Sequence, residues 1–250
     1  MHYLLELFLG GNLNQTLNED FMKKQNNEQY METIHSNPKQ PSLKEILKQL
    51  MEEGNIDRLK QELDTIDEEE LYTSFIHGIN HNERVLFWAY ILSLQCGIDE
   101  ACVRIVLDAS KYHDIGRVND CVDPTHGKRS AEAIKELISD SIYENQNFVK
   151  LLQGIVEIHS LEDSDAERIM RKYGITDKKT FYTLFSILKD ADALDRIRIT
   201  YMEDTISCLN PIYLRIPYSK KLLMAAHELN EFYMKNEEHT KGGKYEKYLY

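Results

Sequence analysis

From about residue 70 onward, apolar side chains recur at three- and four-residue spacing, the period of a helix with one buried face. The spacing predicts helices near 81–96, 99–113, 126–139, 145–160, 164–173, 177–199 and 217–236. Upstream, Ser42 is placed to cap SLKEILKQLMEEG, which Gly54 closes. A short helix is expected at 55–64, and the run Asp67-Glu68-Glu69-Glu70 predicts the start of another. Gly97, Gly154 and Gly174 interrupt the pattern, and Pro124, Pro211 and Pro217 mark turns or first helical turns. Alternating strand patterns are scarce. Residues 10–42 are polar and rich in Asn and Gln, which predicts irregular or peripheral structure. The expected class is all-α: a helical bundle over 71–205, a peripheral N-terminal extension over 1–70, and a C-terminal helical segment over 206–250 packed on the core.

Six polar residues break the apolar stripes. Counting back from His113 at helical spacing gives Ser110, Ala109, Val106, Ile105 and Cys102, so His113 and Asp114 sit at the inner end of a buried helix, where Gly116 lets the chain turn away. His81 shares a face with Val85, Trp88 and Leu92. His159 follows Ile155, Leu152, Leu151 and Phe148, and Asp192 follows Leu188, Phe185 and Phe181. His126 opens a helix whose face continues through Ser130, Ala133, Ile134 and Leu137. One inward histidine is more often a hydrogen-bonded core residue than a ligand. Six inward His and Asp residues from separate segments are how helical bundles build metal sites, because a buried carboxylate is costly unless paired or coordinating a cation. His77 and His81 are spaced i, i+4, a chelating spacing, but Gly78 points to a helix start, and a capping or supporting role for His77 is the plainer reading. His2, His35, His227 and His239 have no such context.

Composition narrows the partners. The chain has 250 residues, 42% apolar and 29% charged, with net charge −12. A core is expected, and general binding to nucleic acid is not. The four cysteines, Cys96, Cys102, Cys121 and Cys208, form no CxxC pair and read as reduced thiols of a cytoplasmic protein. The apolar run in MHYLLELFLGG is shorter than the about 20 residues of a membrane span and lacks a basic flank, so neither a leader nor an anchor is expected. There is no GxSxG, Gly-rich phosphate loop or GxGxxG.

The stretches HNERV (81–85), YHDIGRVND (112–120), THGKRSA (125–131), EIHS (157–160) and LKDADALDRIR (188–198), in this order, resemble the HD-domain superfamily of metal-dependent hydrolases. The resemblance covers about 70–200. It implies that His81, His113, Asp114 and Asp192 hold one divalent ion, and that His126 and His159, with a bridging Asp114, hold a second. Of the neighbouring aspartates, Asp190 is out of phase with the inward face, and Asp195, one turn on, would support a ligand from behind. Ser160 follows His159 and no GYP signature is present, so a cyclic dinucleotide is not the expected substrate.

The implied activity is hydrolysis of a nucleotide or other small phosphorylated molecule by metal-activated water, as a phosphomonoesterase or phosphodiesterase. The nitrogen and oxygen donors suit Mn, Fe, Ni, Co or Zn, with Mg also admitted. Asp114 and Arg117 are the catalytic candidates. Arg117, Lys128 and Arg84 are the candidates for holding phosphate; Arg84 has the competing role of bracing a buried carboxylate. Lys128, Arg129 and Arg196 also read as solvated charges. Two other functions fit the ligand set: a diiron oxygenase resembling myo-inositol oxygenase, and a metal-stabilised domain that binds a ligand without turnover. A homo-oligomer is compatible with the aromatic tail KYEKYLY.

Overall fold

The computed structural model describes residues 40–74, 76–201 and 209–240. Residues 1–39 of the expected extension, Cys208 and the KYEKYLY tail lie outside the described residues. The described chain is all-helical, with no strand. Its α-helices are α1 (Leu43–Glu52), α2 (Ile56–Asp64), α3 (Ile79–Cys96), α4 (Glu100–Tyr112), α5 (His126–Ala133), α6 (Gln146–His159), α7 (Ala166–Tyr173), α8 (Lys178–Asp195) and α9 (Leu223–Thr240).

Local chemistry sets the helix ends. Ser42 and Glu45 form a reciprocal capping box at the start of α1. Asp99 and Asp177 accept backbone N–H groups at the starts of α4 and α8. Gly97 and Gly174 close α3 and α7 in the left-handed conformation.

Four expectations differ from the structure. The Asp67–Glu70 run forms one 3₁₀ turn, Glu68–Glu70, because the Asp67 carboxylate takes the Glu69 N–H and no buried face follows to extend it. The helix from 126 tightens into a 3₁₀ turn after Ala133. The helix expected to reach 199 is α-helical only to Asp195 and continues as 3₁₀ through Arg196–Tyr201. The last helix begins at Leu223, after a 3₁₀ turn at Ser219–Lys221.

Helix α3 is the axis of the bundle. It packs against α8, α4 and α2, and every residue from Asn80 to Ser93 is buried. A helix enclosed on all sides needs apolar residues all round, and VLFWAYIL supplies them: Phe87, Trp88 and Tyr90 are fully covered. Helix α6 lies across the second layer, in contact with α5, α7, α8 and α4. Helix α9 packs on α8 and α1. The ends of α3, α4, α6 and α8 and the start of α5 therefore converge. Leu152, fully buried in α6, tests this layer: Leu152→Ala is expected to lower unfolding free energy by about 2–5 kcal/mol, read as a lower urea midpoint at unchanged slope.

Candidate metal centre

His81, in the first turn of α3, is fully buried, as is His113 just after α4. Asp114, His126 and His159 are each less than a tenth exposed. Asp192, from the last turn of α8, reaches the same place from the side and is partly exposed. All six expected ligands thus meet. His81, His113 and Asp192 offer ligand atoms within 4.8 Å of one another, and so do His113, Asp114 and His159. His126 joins the second group through Nε2, which lies 3.1 Å from Asp114 Oδ1 and 2.8 Å from His159 Nε2.

The histidine tautomers follow from the partners on the far side of each ring. His113 Nδ1 lies 2.9 Å from the Ser110 carbonyl oxygen. His126 and His159 set their Nδ1 atoms against the carbonyls of Asp123 and Val156. A carbonyl only accepts, so each Nδ1 must carry the proton. His81 Nδ1 lies 2.7 Å from Asp195 Oδ2, another acceptor. All four Nε2 atoms therefore present lone pairs. Yet His81 Nε2 and His113 Nε2 stand 3.1 Å apart, and His126 Nε2 and His159 Nε2 stand 2.8 Å apart. Two lone pairs at that distance repel unless a proton or a cation lies among them. Burial disfavours the proton: it pulls the His113 pKa down to about 3 and also lowers that of His159.

Asp114 lies between the two histidine pairs. Its Oδ2 is 3.6 Å from His81 Nε2 and 3.8 Å from His113 Nε2. Its Oδ1 is 3.1 Å from His126 Nε2 and 3.5 Å from His159 Nε2, is buried, and has no hydrogen-bond donor. Donors that share one ion at about 2.0–2.2 Å stand about 3.0–3.5 Å apart, close to these separations. The orphaned oxygen, the facing lone pairs and the ligand chemistry all fit divalent cations, with one carboxylate oxygen turned to each pair. Burial acts to raise the Asp114 and Asp192 pKa values, but the surrounding imidazoles outweigh it, and both carboxyls are held below the usual range.

A carboxylate behind the centre holds it in place. Asp195 is fully buried and accepts from His81, from Nε and Nη2 of Arg84 (2.5 and 3.2 Å), from Arg198 Nη1 (3.1 Å) and from Asn230 Nδ2 (3.4 Å). The supporting role expected of Asp195 is thus visible. Two glycines let the elements close on one another. A Cβ on Gly116 would lie 2.4 Å from Ser130 N and 2.6 Å from His126 O, and one on Gly127 would lie 2.9 Å from the carbonyl oxygens of Val156 and Glu157. Gly116 is needed for close approach to α5, beyond the turn expected of it.

The centre opens into a cavity of about 540 Å³. Arg117 lines it, but its Nε is bound to Asp114 Oδ2 at 2.8 Å, so it orients the ligand as well as facing the cavity. Two phosphate-binding expectations need correction. Arg84 is buried against Asp195 and the Tyr233 ring, away from the cavity, because Asp195 needs a cation there. Lys128 is exposed, lies outside the cavity lining and pairs with Glu132 one turn along α5. Arg196, read as a surface charge, lines the cavity. Asp190 is not outward-facing: it is fully buried and accepts the backbone N–H groups of Arg215 and Ile216, whose segment covers that side of α8. Sequence reasoning missed Asp120, which lies 2.8 Å from His77 Nδ1, and Arg198, which closes the quoted DALDRIR stretch one turn after Asp195.

No family model, curated protein or solved structure matches the chain.

Acid should unfold the chelator-treated protein. His77 and His113 have folded pKa values of about 4 and about 3, below the about 6.5 of a free histidine. The unfolded chain therefore takes up protons first. Stability is fully present above pH 6.5 and is lost as pH falls toward 4, where the depressed carboxyls add to the loss. Urea midpoints at pH 7.5, 6 and 5 should fall in that order; equal midpoints would contradict the neutral buried imidazoles. Gly116→Ala should separate α5 from the HD segment, costing about 1–3 kcal/mol of stability and weakening metal retention.

Proposed function

We propose that the chain is an HD-type metal-dependent hydrolase, a phosphomonoesterase or phosphodiesterase acting on a nucleotide or other small phosphorylated molecule. The observation that carries the reading is the pair of facing imidazole couples with Asp114 between them. The reading is also supported by the order of the HD stretches along the chain and by the arginines, Arg117 and Arg198 among them, that line the cavity of a protein of net charge −12.

His81, His113, Asp114 and Asp192 would hold one ion, and Asp114, His126 and His159 a second. Bound divalent ions would supply Lewis acidity and lower the pKa of water. Asp195 keeps the His81 Nδ1 proton engaged, so that Nε2 faces the centre. Arg117 fixes the plane of the Asp114 carboxylate through Oδ2 and leaves Nη2 without a protein partner among the described residues. That donor serves phosphate charge. Asp192, partly exposed, lines the cavity together with His126 and His159, so a substrate in the cavity would reach the centre there. A cytoplasmic setting belongs to the same reading, because Cys96, Cys102 and Cys121 are free thiols. Among the described residues no helix is long and apolar enough to cross a membrane.

Metal content per chain after purification without chelator, together with phosphate release from a generic phosphate ester, tests the proposal. Two ions are expected in the wild type, one in His126→Ala and none in His113→Ala, with phosphate release lost in His113→Ala. Absence of bound metal under every supplementation would sink the reading. Iron-dependent oxygen uptake without phosphate release would replace it with the oxygenase, and metal binding without any turnover would leave a ligand-binding domain.

A further inference from the structure

The cavity beside the metal centre has two chemically different ends. Its inner end carries Arg198. Arg198 Nε donates to the Ile76 carbonyl at 2.9 Å and Nη1 to Asp195 at 3.1 Å. Its side chain is 9% exposed, so the guanidinium is held rigidly from behind. Its Nη2 has no protein partner among the described residues, and the residue lines the cavity together with Arg117 and Asp192. A guanidinium held through Nε and Nη1, with Nη2 unpaired among the described residues, is preorganised for an anion. Arg117, clamped to Asp114, offers its own Nη2 to the same cavity.

The outer end is apolar. The described residues contain five strongly exposed large hydrophobic side chains, and four of them sit on the two segments that border the cavity. Val118 and Val122 belong to the segment between α4 and α5; Ile212 and Tyr213 belong to the segment before α9. Val122, 95% exposed, and Tyr213, 70% exposed, line the cavity itself. Isolated exposed apolar residues need no explanation, but Val122 and Tyr213 reach one cavity from two separate segments and give it an apolar rim. The volume of about 540 Å³ is that of a small-molecule pocket, and Arg117 and Arg198 in its lining supply donors for one anionic group.

We propose that this cavity takes a phosphate ester of a flat, apolar group, with the phosphoryl group held by Arg198 and Arg117 and the apolar group lying at Val122 and Tyr213. The assignment rests on the hydrolase reading and deepens it: polar phosphate esters such as glycerol phosphate would leave the rim uncovered. Arg198 and Tyr213 then divide the recognition, one reading charge and the other reading shape.

Calorimetry on the metal-loaded protein tests this with three probes: inorganic phosphate, glycerol 2-phosphate and phenyl phosphate. Phenyl phosphate is expected to bind about tenfold tighter than the other two, the worth of one covered aromatic ring. Tyr213→Ala should remove that preference and leave inorganic phosphate affinity as it was. Arg198→Met should weaken all three about 10–100-fold, the loss of a charged hydrogen bond, and Arg198→Lys should recover part of it. Metal content is measured in each variant. An Arg198→Met protein that lost its metal would be set aside in favour of Arg198→Gln, whose wild-type affinity for all three probes would overturn the role of Arg198. Equal affinities for the three probes in the wild type would overturn the apolar subsite, as would a dimer in light scattering that Tyr213→Ala dissociates, since the rim would then be an interface between copies. Phosphate release from all esters at one rate, with no binding preference, would overturn the inference and leave the hydrolase standing. The expected binding pattern without any phosphate release would overturn the hydrolase and leave the pocket assignment.

Discussion

Four Nδ1 protons decide what the centre of this protein can do. Each is committed to an acceptor that cannot give a proton back: three backbone carbonyls and the Asp195 carboxylate. The consequence falls on the other side of each ring, where four lone pairs are pressed together around Asp114 at the floor of the cavity. Such an arrangement is unfavourable as a set of neutral groups and favourable as a cage for positive charge. The rest of the bundle can be read as the means of holding it. Asp195 gathers His81, Arg84, Arg198 and Asn230, and so ties α3, the end of α8, the 3₁₀ turn beyond it and α9 to one buried carboxylate. Removing Asp195 would leave Arg84 and Arg198 buried without their shared partner, which costs several kcal/mol.

The same constraint explains why α3 is enclosed on every face. The ligands come from five segments, and their relative positions must hold to within a fraction of an ångström for the donors to share ions. A helix packed on all sides by α2, α4 and α8 gives His81 no freedom to move, and close packing transmits that rigidity outward. The glycines at 116 and 127 serve this end by letting backbones meet where a side chain would hold them apart. A second network, Glu62 with Arg104 and Lys111, pins α2 to α4, and Asp108 with Tyr143 ties α4 to the 3₁₀ turn before α6.

The acidic chain sets the long-range field, and the arginines in the cavity lining set a local one. Net charge of −12 discourages polyanions at long range. Within the cavity, Arg117, Arg198, Arg196 and Arg215 stand among the carboxylates of Asp120, Asp123, Glu162 and Asp192, so the positive field is local to particular guanidiniums. Two of these are tied to carboxylates of the centre and its support, so charge recognition and ligand orientation share side chains. A small anion meets that field only after entering, and an extended polyanion meets the acidic exterior first.

Periodicity alone made the helices and the inward-facing histidines legible, because burial of one face imposes a repeat on the residues themselves. His81, His113, Asp114, His126, His159 and Asp192 could be named from that repeat and from the order of the stretches that carry them. What each long side chain does was not legible in the same way. Arg84 and Arg117 are both candidates for phosphate in the sequence, yet Arg84 takes its alternative role, bracing a buried carboxylate behind the centre, and Arg117 flanks it, because the carboxylate each meets comes from elsewhere in the chain or from the turn just formed. Asp190 is buried because a segment more than twenty residues later brings two N–H groups to it, and no local period records that approach. Arg198 and Tyr213 share a cavity only once α8 and the segment before α9 are in place. The sequence determined which faces turn inward and which residue types stand on them; the tertiary structure decided which of those groups meet, because hydrogen bonds and ion pairs between distant segments depend on geometry that no single segment contains.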